Sequence, residues 1–186
     1  GWFEEEFREF GYGFPPLGER FAQLEEALEL ISALWKAQPI ENKGRFYDLR
    51  GAVCSPQPLG LKLWIGGRGK DKTPRLAAKF ADGFNMPYVS PELAGDRLQR
   101  VQRACDEIGR DFSEIDSSVN LGFYMNSDRK PDIAAEGSLT GGTQEAIDMI
   151  GKFRDVGIKG INIAFRPPID WDALQQYIEE VMPAFR

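Results

Sequence analysis

From residue 61 to the end, short apolar runs alternate with longer segments of helical spacing, and this rhythm constrains the fold more than any other feature of the 186-residue chain. Leu61 to Ile65 is an apolar run closed by Gly66-Gly67, the mark of a buried strand. A helix is predicted from Thr73-Pro74, with Leu76, Ala77 and Phe80 on its inner face, and then a very short strand from Asp82 to Met86. Ser90 as N-cap with Pro91 behind it opens the next helix, whose stripe is Ala94, Leu98, Val101, Cys105 and Ile108. Ser117 to Met125, rich in β-branched and aromatic residues, is the third strand. Thr143 is expected to cap a helix through Ile147, Ile150, Phe153 and Val156, which Gly157 closes. Ile158 to Phe165 is the fourth strand, and Asp170 caps a last helix that buries Trp171, Leu174, Ile178 and Val181. Regular alternation of this kind means an α/β fold with a parallel sheet and crossover helices. Two arrangements satisfy it, a doubly wound sheet or part of a (β/α)8 barrel. A whole barrel takes eight units in about 250 residues, so four units suit half of one.

One helix precedes the four units. Leu17, Phe21, Leu24, Leu28, Ile31 and Trp35 recur at three- and four-residue steps, giving an apolar stripe from Leu17 to Lys36 behind Pro15-Pro16. Glu19, Gln23, Glu26 and Ser32 fall on the other face, which is expected to be solvated. Residues 38–60 are rich in proline and glycine and suggest a loop with one hairpin, Gly44 to Leu49 being a short extended piece. Glu4-Glu5-Glu6 reads as a solvated helix start, because three consecutive carboxylates point in different directions and cannot converge on one ion.

Composition removes several kinds of chemistry. The chain has no histidine, so Ser-His-Asp and Cys-His catalysis and every His-ligated metal site are excluded within it. Its two cysteines, Cys54 and Cys105, match no metal-ligand spacing and suit small buried hydrophobes in a reducing, cytoplasmic setting. A net charge of −6 with no basic run lacks the footprint of a nucleic-acid binder. No apolar run approaches the roughly 18 residues of a membrane span. The start at Gly1-Trp2, without an initiator Met or an opening strand, suggests a fragment or a trimmed chain.

The motif with the clearest chemistry is Trp64-Ile65-Gly66-Gly67-Arg68-Gly69-Lys70-Asp71-Lys72-Thr73. A glycine-rich turn leaves the carboxyl end of a strand and enters a helix, where backbone N–H groups and the helix dipole favour a phosphate. Arg68, Lys70 and Lys72 add positive charge. The segment is neither G-x-G-x-x-G nor G-x-x-x-x-G-K-[ST]. A tight turn that needs glycine for geometry alone accounts for the same residues, and the motif by itself does not separate the two. Asn85, at the carboxyl end of the second strand, is placed to hydrogen-bond a ligand, while Asp82 suits bracing the turn. Leu139 to Glu145 is a second glycine-rich helix entry, open to an anion but assigned to capping by Thr143, and Arg166, at the same end of the sheet, is open to a ligand but taken as a surface arginine.

Taken in order, further pieces join these. They are Gly1-Trp2-Phe3 with Phe10-Gly11, the run Phe14-Pro15-Pro16-Leu17-Gly18-Glu19-Arg20-Phe21, Leu24-Glu25-Glu26-Ala27-Leu28 and Ala33-Leu34-Trp35. Gly44-Arg45-Phe46-Tyr47, Pro56-Gln57-Pro58, Trp64-Ile65-Gly66-Gly67, Ala77-Ala78, Ala81-Asp82-Gly83-Phe84-Asn85, Gly142-Thr143-Gln144-Glu145 and Asp155-Val156-Gly157 complete the set. As an ordered set they resemble the bacterial luciferase-like monooxygenase family of flavin- or coenzyme F420-dependent oxidoreductases. The run from Phe14 to Trp35 looks most like the F420-dependent branch, so F420 is preferred over FMN.

The resemblance implies a single luciferase-like barrel domain over residues 1–186, the C-terminal half of a (β/α)8 barrel with its N-terminal strands missing. It implies that Gly66, Gly67, Arg68 and Gly69, with Thr73, bind the cofactor phosphate, that Arg20 reaches the same phosphate, that Trp2 lies beside the flavin ring and that Asn85 lines the site. It places the usual catalytic side chain upstream of Gly1, so no catalytic residue is assigned, and the chain alone is expected to be inactive. A small-molecule substrate, a homo-oligomer and no metal, nucleic acid or membrane complete the expectation. Two alternatives stay open: a non-catalytic half-barrel subunit or phosphate-ligand-binding domain that assembles with a partner, and a complete doubly wound domain for a phosphosugar or nucleotide.

Overall fold

The computed structural model describes residues 1–36, 38–129, 131 and 135–185. The chain forms two compact units, residues 1–61 and 62–186.

In the first unit, α1 (Glu4–Glu9) carries its three acids in the first turn and buries no side chain. The helix α2 (Leu17–Leu34) follows Pro16 directly and runs where the spacing places it. Its stripe is not a buried one, however: Leu28 is buried, whereas Leu17, Leu24 and Ile31 are exposed. A unit of this size, whose sheet among the described residues is a two-stranded hairpin, has too little surface to cover an 18-residue helix. The hairpin pairs β1 (Ile40–Lys43) antiparallel with β2 (Asp48–Ala52), Lys43 opposite Asp48. Gly44 to Tyr47 is therefore the turn and not an extended piece. Glu26, expected in solvent, accepts the main-chain N–H groups of Arg45, Phe46 and Tyr47 at 2.9–3.1 Å. Gly44 is required beside it, since a Cβ there would collide with the Glu26 carboxylate.

The second unit is a parallel α/β layer. Its elements are β3 (Trp64–Gly66), α3 (Lys72–Phe80), β4 (Gly83–Pro87), α4 (Pro91–Ile108), β5 (Asp116–Met125), β6 (Ser138–Gly141), α5 (Thr143–Asp155), β7 (Gly160–Ala164) and α6 (Trp171–Gln176). The strand order is β3-β4-β5-β6, with β7 also on β5, and every pairing is parallel. Ser118, Val119 and Asn120 pair with β4 and with β7, and Gly122 pairs with both Ser138 and Ala164. Hence β4 and β6 follow one another along one edge of β5, and β7 runs along the other. The strand β6 was not expected from the sequence, where those residues were assigned to a helix entry; four residues are too short to show a period of two.

Alternation along these strands separates two faces. Ile65, Phe84, Met86, Val119, Leu121 and Leu139 share one face and are buried, as are Leu76, Ala77, Leu98, Val101, Ala146 and Phe153 of the helices. Each large side chain so buried contributes about 1.5–3 kcal/mol. Ser90 caps α4 by accepting the Leu93 N–H at 3.2 Å, and Asp170 caps α6 by accepting that of Ala173 at 3.0 Å, both as predicted. Thr143 does not cap α5. The Glu145 carboxylate accepts the Gly142 N–H at 3.0 Å, and the Thr143 hydroxyl instead meets Glu180 and Gln176. Ile108, Trp171 and Ile178 are exposed rather than buried. Past Gln176 the last helix widens into a π turn over Tyr177–Val181, which shifts the phase of the stripe on which Ile178 was placed. Cys105 is buried, which pushes its thiol up, but Cys54 is only half-buried. Among the described residues no helix is long and apolar enough to cross a membrane.

Candidate functional site

The opposite face of the parallel sheet is small and polar. Asn85 of β4 donates its amide N–H groups to the Ser118 hydroxyl at 2.8 Å and to the Asn120 side-chain oxygen at 3.0 Å. Asn162 of β7 donates to the same Asn120 oxygen at 3.1 Å. An amide ladder thus crosses three strands. Trp64 lies over Gly83, where any Cβ would strike its ring. Asp82 braces the strand entry as expected, its carboxylate accepting the Leu63 N–H at 2.7 Å.

The glycine-rich turn leaves β3 at the carboxyl end of the sheet. Gly66 sits in register with Asn85, and the Gly67 N–H donates to the Asn85 carbonyl at 3.0 Å. Gly67 has φ +148°, a conformation that favours glycine. A Cβ on Gly69 would meet Thr73 Oγ1 at 2.5 Å, and Thr73 is itself buried. Gly66, Gly67, Arg68, Gly69, Thr73 and Asn85 are therefore brought together within this unit. Asp71 occupies the N-cap position of α3 without bonding the first turn; its carboxylate faces Arg100 at 3.5 Å. A helix start with no side-chain cap, set behind glycines and beside Arg68, suits a phosphate.

One residue holding this turn was missed. Arg97 is buried, its Nε donates to the Arg68 carbonyl at 2.9 Å, and its guanidinium pairs with Asp96. Arg100 bonds the same carboxylate at 2.9 Å, and that hydrogen bond holds the Asp96 carboxyl below its ordinary range. The signal was present: Arg97 stands three residues after Ala94 and four before Val101, on the buried face of α4.

Trp2 and Arg20 belong to the first unit. Trp2 is 87% exposed with its ring 5.5 Å from that of Phe3. The Arg20 guanidinium lies 3.8 Å over the Phe14 ring and donates to the Pro15 carbonyl, while its buried Nε has no partner among the described residues. Arg166, taken as a surface residue, lies on the wall of a cavity of about 300 Å³ at the carboxyl ends of β5 and β7.

Parallel strands joined by crossover helices, with a glycine-rich turn at the strands' carboxyl ends, define a parallel α/β domain. The chain belongs to the luciferase-like monooxygenase family, whose match spans residues 1–136. It is 31% identical over 123 residues to an F420-dependent glucose-6-phosphate dehydrogenase of Nakamurella multipartita, covering 64% of this chain and 36% of that protein. A second such dehydrogenase, from Rhodococcus jostii, is 30% identical over 139 residues, covering 71% of this chain and 41% of the relative. The chain thus matches about two fifths of the length of these relatives or less. Among solved structures, an F420-dependent secondary alcohol dehydrogenase in complex with an F420-acetone adduct superposes with a TM-score of 0.80 at 18% identity, over 94% of this chain and 64% of that one. A long-chain alkane monooxygenase gives 0.72 at 15% identity, over 95% and 58%. At these identities the likeness is one of fold: an α/β parallel sheet that matches part of the luciferase-like barrel.

Proposed function

We propose that this protein is an oxidoreductase that works with bound coenzyme F420, or with FMN, moving a hydride to or from a small organic substrate. The observation that carries the reading is the α3 start that no side chain caps, presented by Gly66–Gly69 at the carboxyl end of β3 beside Arg68. The F420-dependent relatives favour F420. In this reading Gly66, Gly67 and Gly69 let the backbone approach the cofactor phosphate, Thr73 and its neighbours in the first turn donate to it, and Arg68 offsets its charge. Asn85 lines the site through its carbonyl oxygen. Arg20 and Trp2 are assigned to the cofactor by the resemblance alone. The bound ring supplies the hydride chemistry, and these residues hold and orient it.

Titration of the chain with F420 and with FMN, followed by cofactor fluorescence, tests the proposal. Saturable binding that inorganic phosphate competes away, weakened at least about tenfold in Gly69→Ala, is expected. Failure to bind either cofactor overturns it. The proposal treats residues 1–186 as one cytoplasmic barrel domain without nucleic-acid or membrane partners.

A second reading, a half-barrel subunit that assembles with a partner or a second copy, rests on the sheet edges. Among the described residues β3 pairs only with β4, and β7 only with β5, which leaves two edges open to pairing. Light scattering on the purified chain discriminates, and a stable monomer counts against assembly.

A further inference from the structure

We infer that the cavity at the carboxyl ends of β5 and β7 binds a small organic acid, its acid group paired by Arg129 and Arg166 and its hydrocarbon body laid on Phe123, Met125 and Phe165. The cavity shares no residue with the glycine turn, and the inference does not depend on a cofactor. Its volume, about 300 Å³, is at the small end of ligand pockets and suits a single ring or short chain, not a nucleotide.

The two parts of the lining have separate origins. Phe123 and Met125 end β5 on the apolar face, opposite the amide ladder. The Phe123 ring packs 5.2 Å from that of Phe165 and 5.9 Å from that of Tyr177, so the apolar floor is held by ring contacts on both sides. The cations come from the loops that follow β5 and β7. Arg129 reaches across from one loop to the other, its guanidinium lying 3.4 Å from the Pro168 carbonyl, and Arg166 follows Phe165. Both arginines are exposed and line the cavity. Among the described lining residues the acid is Asp170, whose carboxylate accepts the Ala173 N–H at 3.0 Å. Two guanidinium groups beside an aromatic floor match an anionic head on an apolar body, since arginine pairs a planar acid in bidentate fashion and the rings take the hydrocarbon.

Calorimetric titration of the cofactor-free chain with benzoate, phenyl phosphate, inorganic phosphate and benzamide tests this. Benzoate or phenyl phosphate is expected to bind saturably, and the tighter of the two names the acid group. Benzamide, which lacks the charge, is expected to bind at least about tenfold more weakly, and inorganic phosphate, which lacks the ring and has the glycine turn as its own proposed site, is expected to leave the Phe123 and Phe165 resonances unshifted. The Arg129→Gln/Arg166→Gln double variant is expected to lose at least about tenfold in affinity with its unfolding midpoint unchanged. In the unmodified chain, benzoate should shift the amide resonances of Phe123, Phe165 and Arg166, a measurement that needs no variant. Absence of saturation by either ring acid up to about 10 mM, equal binding of benzamide, shifts located elsewhere, or an unchanged double variant overturns the inference. Because no cofactor is present, its failure is separate from failure of the F420 reading.

Discussion

The main-chain N–H of Gly67 donates to the carbonyl of Asn85 at 3.0 Å, so the turn after β3 is fastened to the neighbouring strand. From the other side Arg97 holds the Arg68 carbonyl. The glycine turn is a preorganised element, and its conformation is set by contacts that precede any ligand.

Gly67→Ala places a side chain at φ +148° with Thr73 Cγ2 at 3.3 Å. The substitution is expected to cost about 1–3 kcal/mol of stability, read as a lower urea midpoint at unchanged slope. An unchanged midpoint would show that the turn adopts another conformation without penalty.

Asn85→Ala removes the donor shared by Ser118 and Asn120 at the β4 end of the amide ladder. With Ser118 buried, a loss of about 1–3 kcal/mol is expected in urea unfolding. Asn162→Ala, at the exposed end of the same ladder, should cost less than about 0.5 kcal/mol. Equal losses at the two positions would contradict the burial gradient across the sheet.

Acid should release one ion cluster in particular. The hydrogen bond from Lys62 at 2.9 Å, with Lys159 at 3.8 Å, holds the Asp116 carboxyl below its ordinary value of 3.8. The unfolded chain therefore binds more protons at this group, and the stability it contributes is present above the ordinary value and lost as pH falls through the folded one. Between about pH 5 and about pH 2.5 the midpoint of the unmodified chain should fall further than that of Asp116→Asn. Salt should shrink the difference, because the groups are exposed.

Glu26→Ala leaves three turn amides without their carboxylate. Hydrogen exchange at Arg45, Phe46 and Tyr47 should speed up by at least about tenfold, while amides in the middle of α2 keep their rates. Uniform acceleration along the first unit would mean instead that Glu26 supports the whole unit.

What was legible in advance was local. Strand and helix positions from β3 to α6, β6 excepted, the caps at Ser90 and Asp170, and the brace at Asp82 follow from periodicity and from side chains that bond backbone three residues away or across one βα unit. What failed depended on what lies opposite. The α2 stripe has the right period but little to cover it, so Leu17, Leu24 and Ile31 remain exposed. Ile178 failed for a related reason, the π turn over Tyr177–Val181 altering which residues face inward.

The amino-acid sequence alone determined the parallel α/β class, the glycine-rich entry to α3 and the family, because each is written in the spacing and order of residues along the chain. Only the tertiary structure decided that Ser138–Gly141 is a strand, that Glu26 and Arg97 anchor loops, and that Arg129 and Arg166 border one cavity. Those facts rest on hydrogen bonds and packing between residues some 20 to 40 positions apart, such as Glu26 with Tyr47 and Arg129 with Pro168. No local period records such partners, since their meeting depends on where the sheet brings each loop.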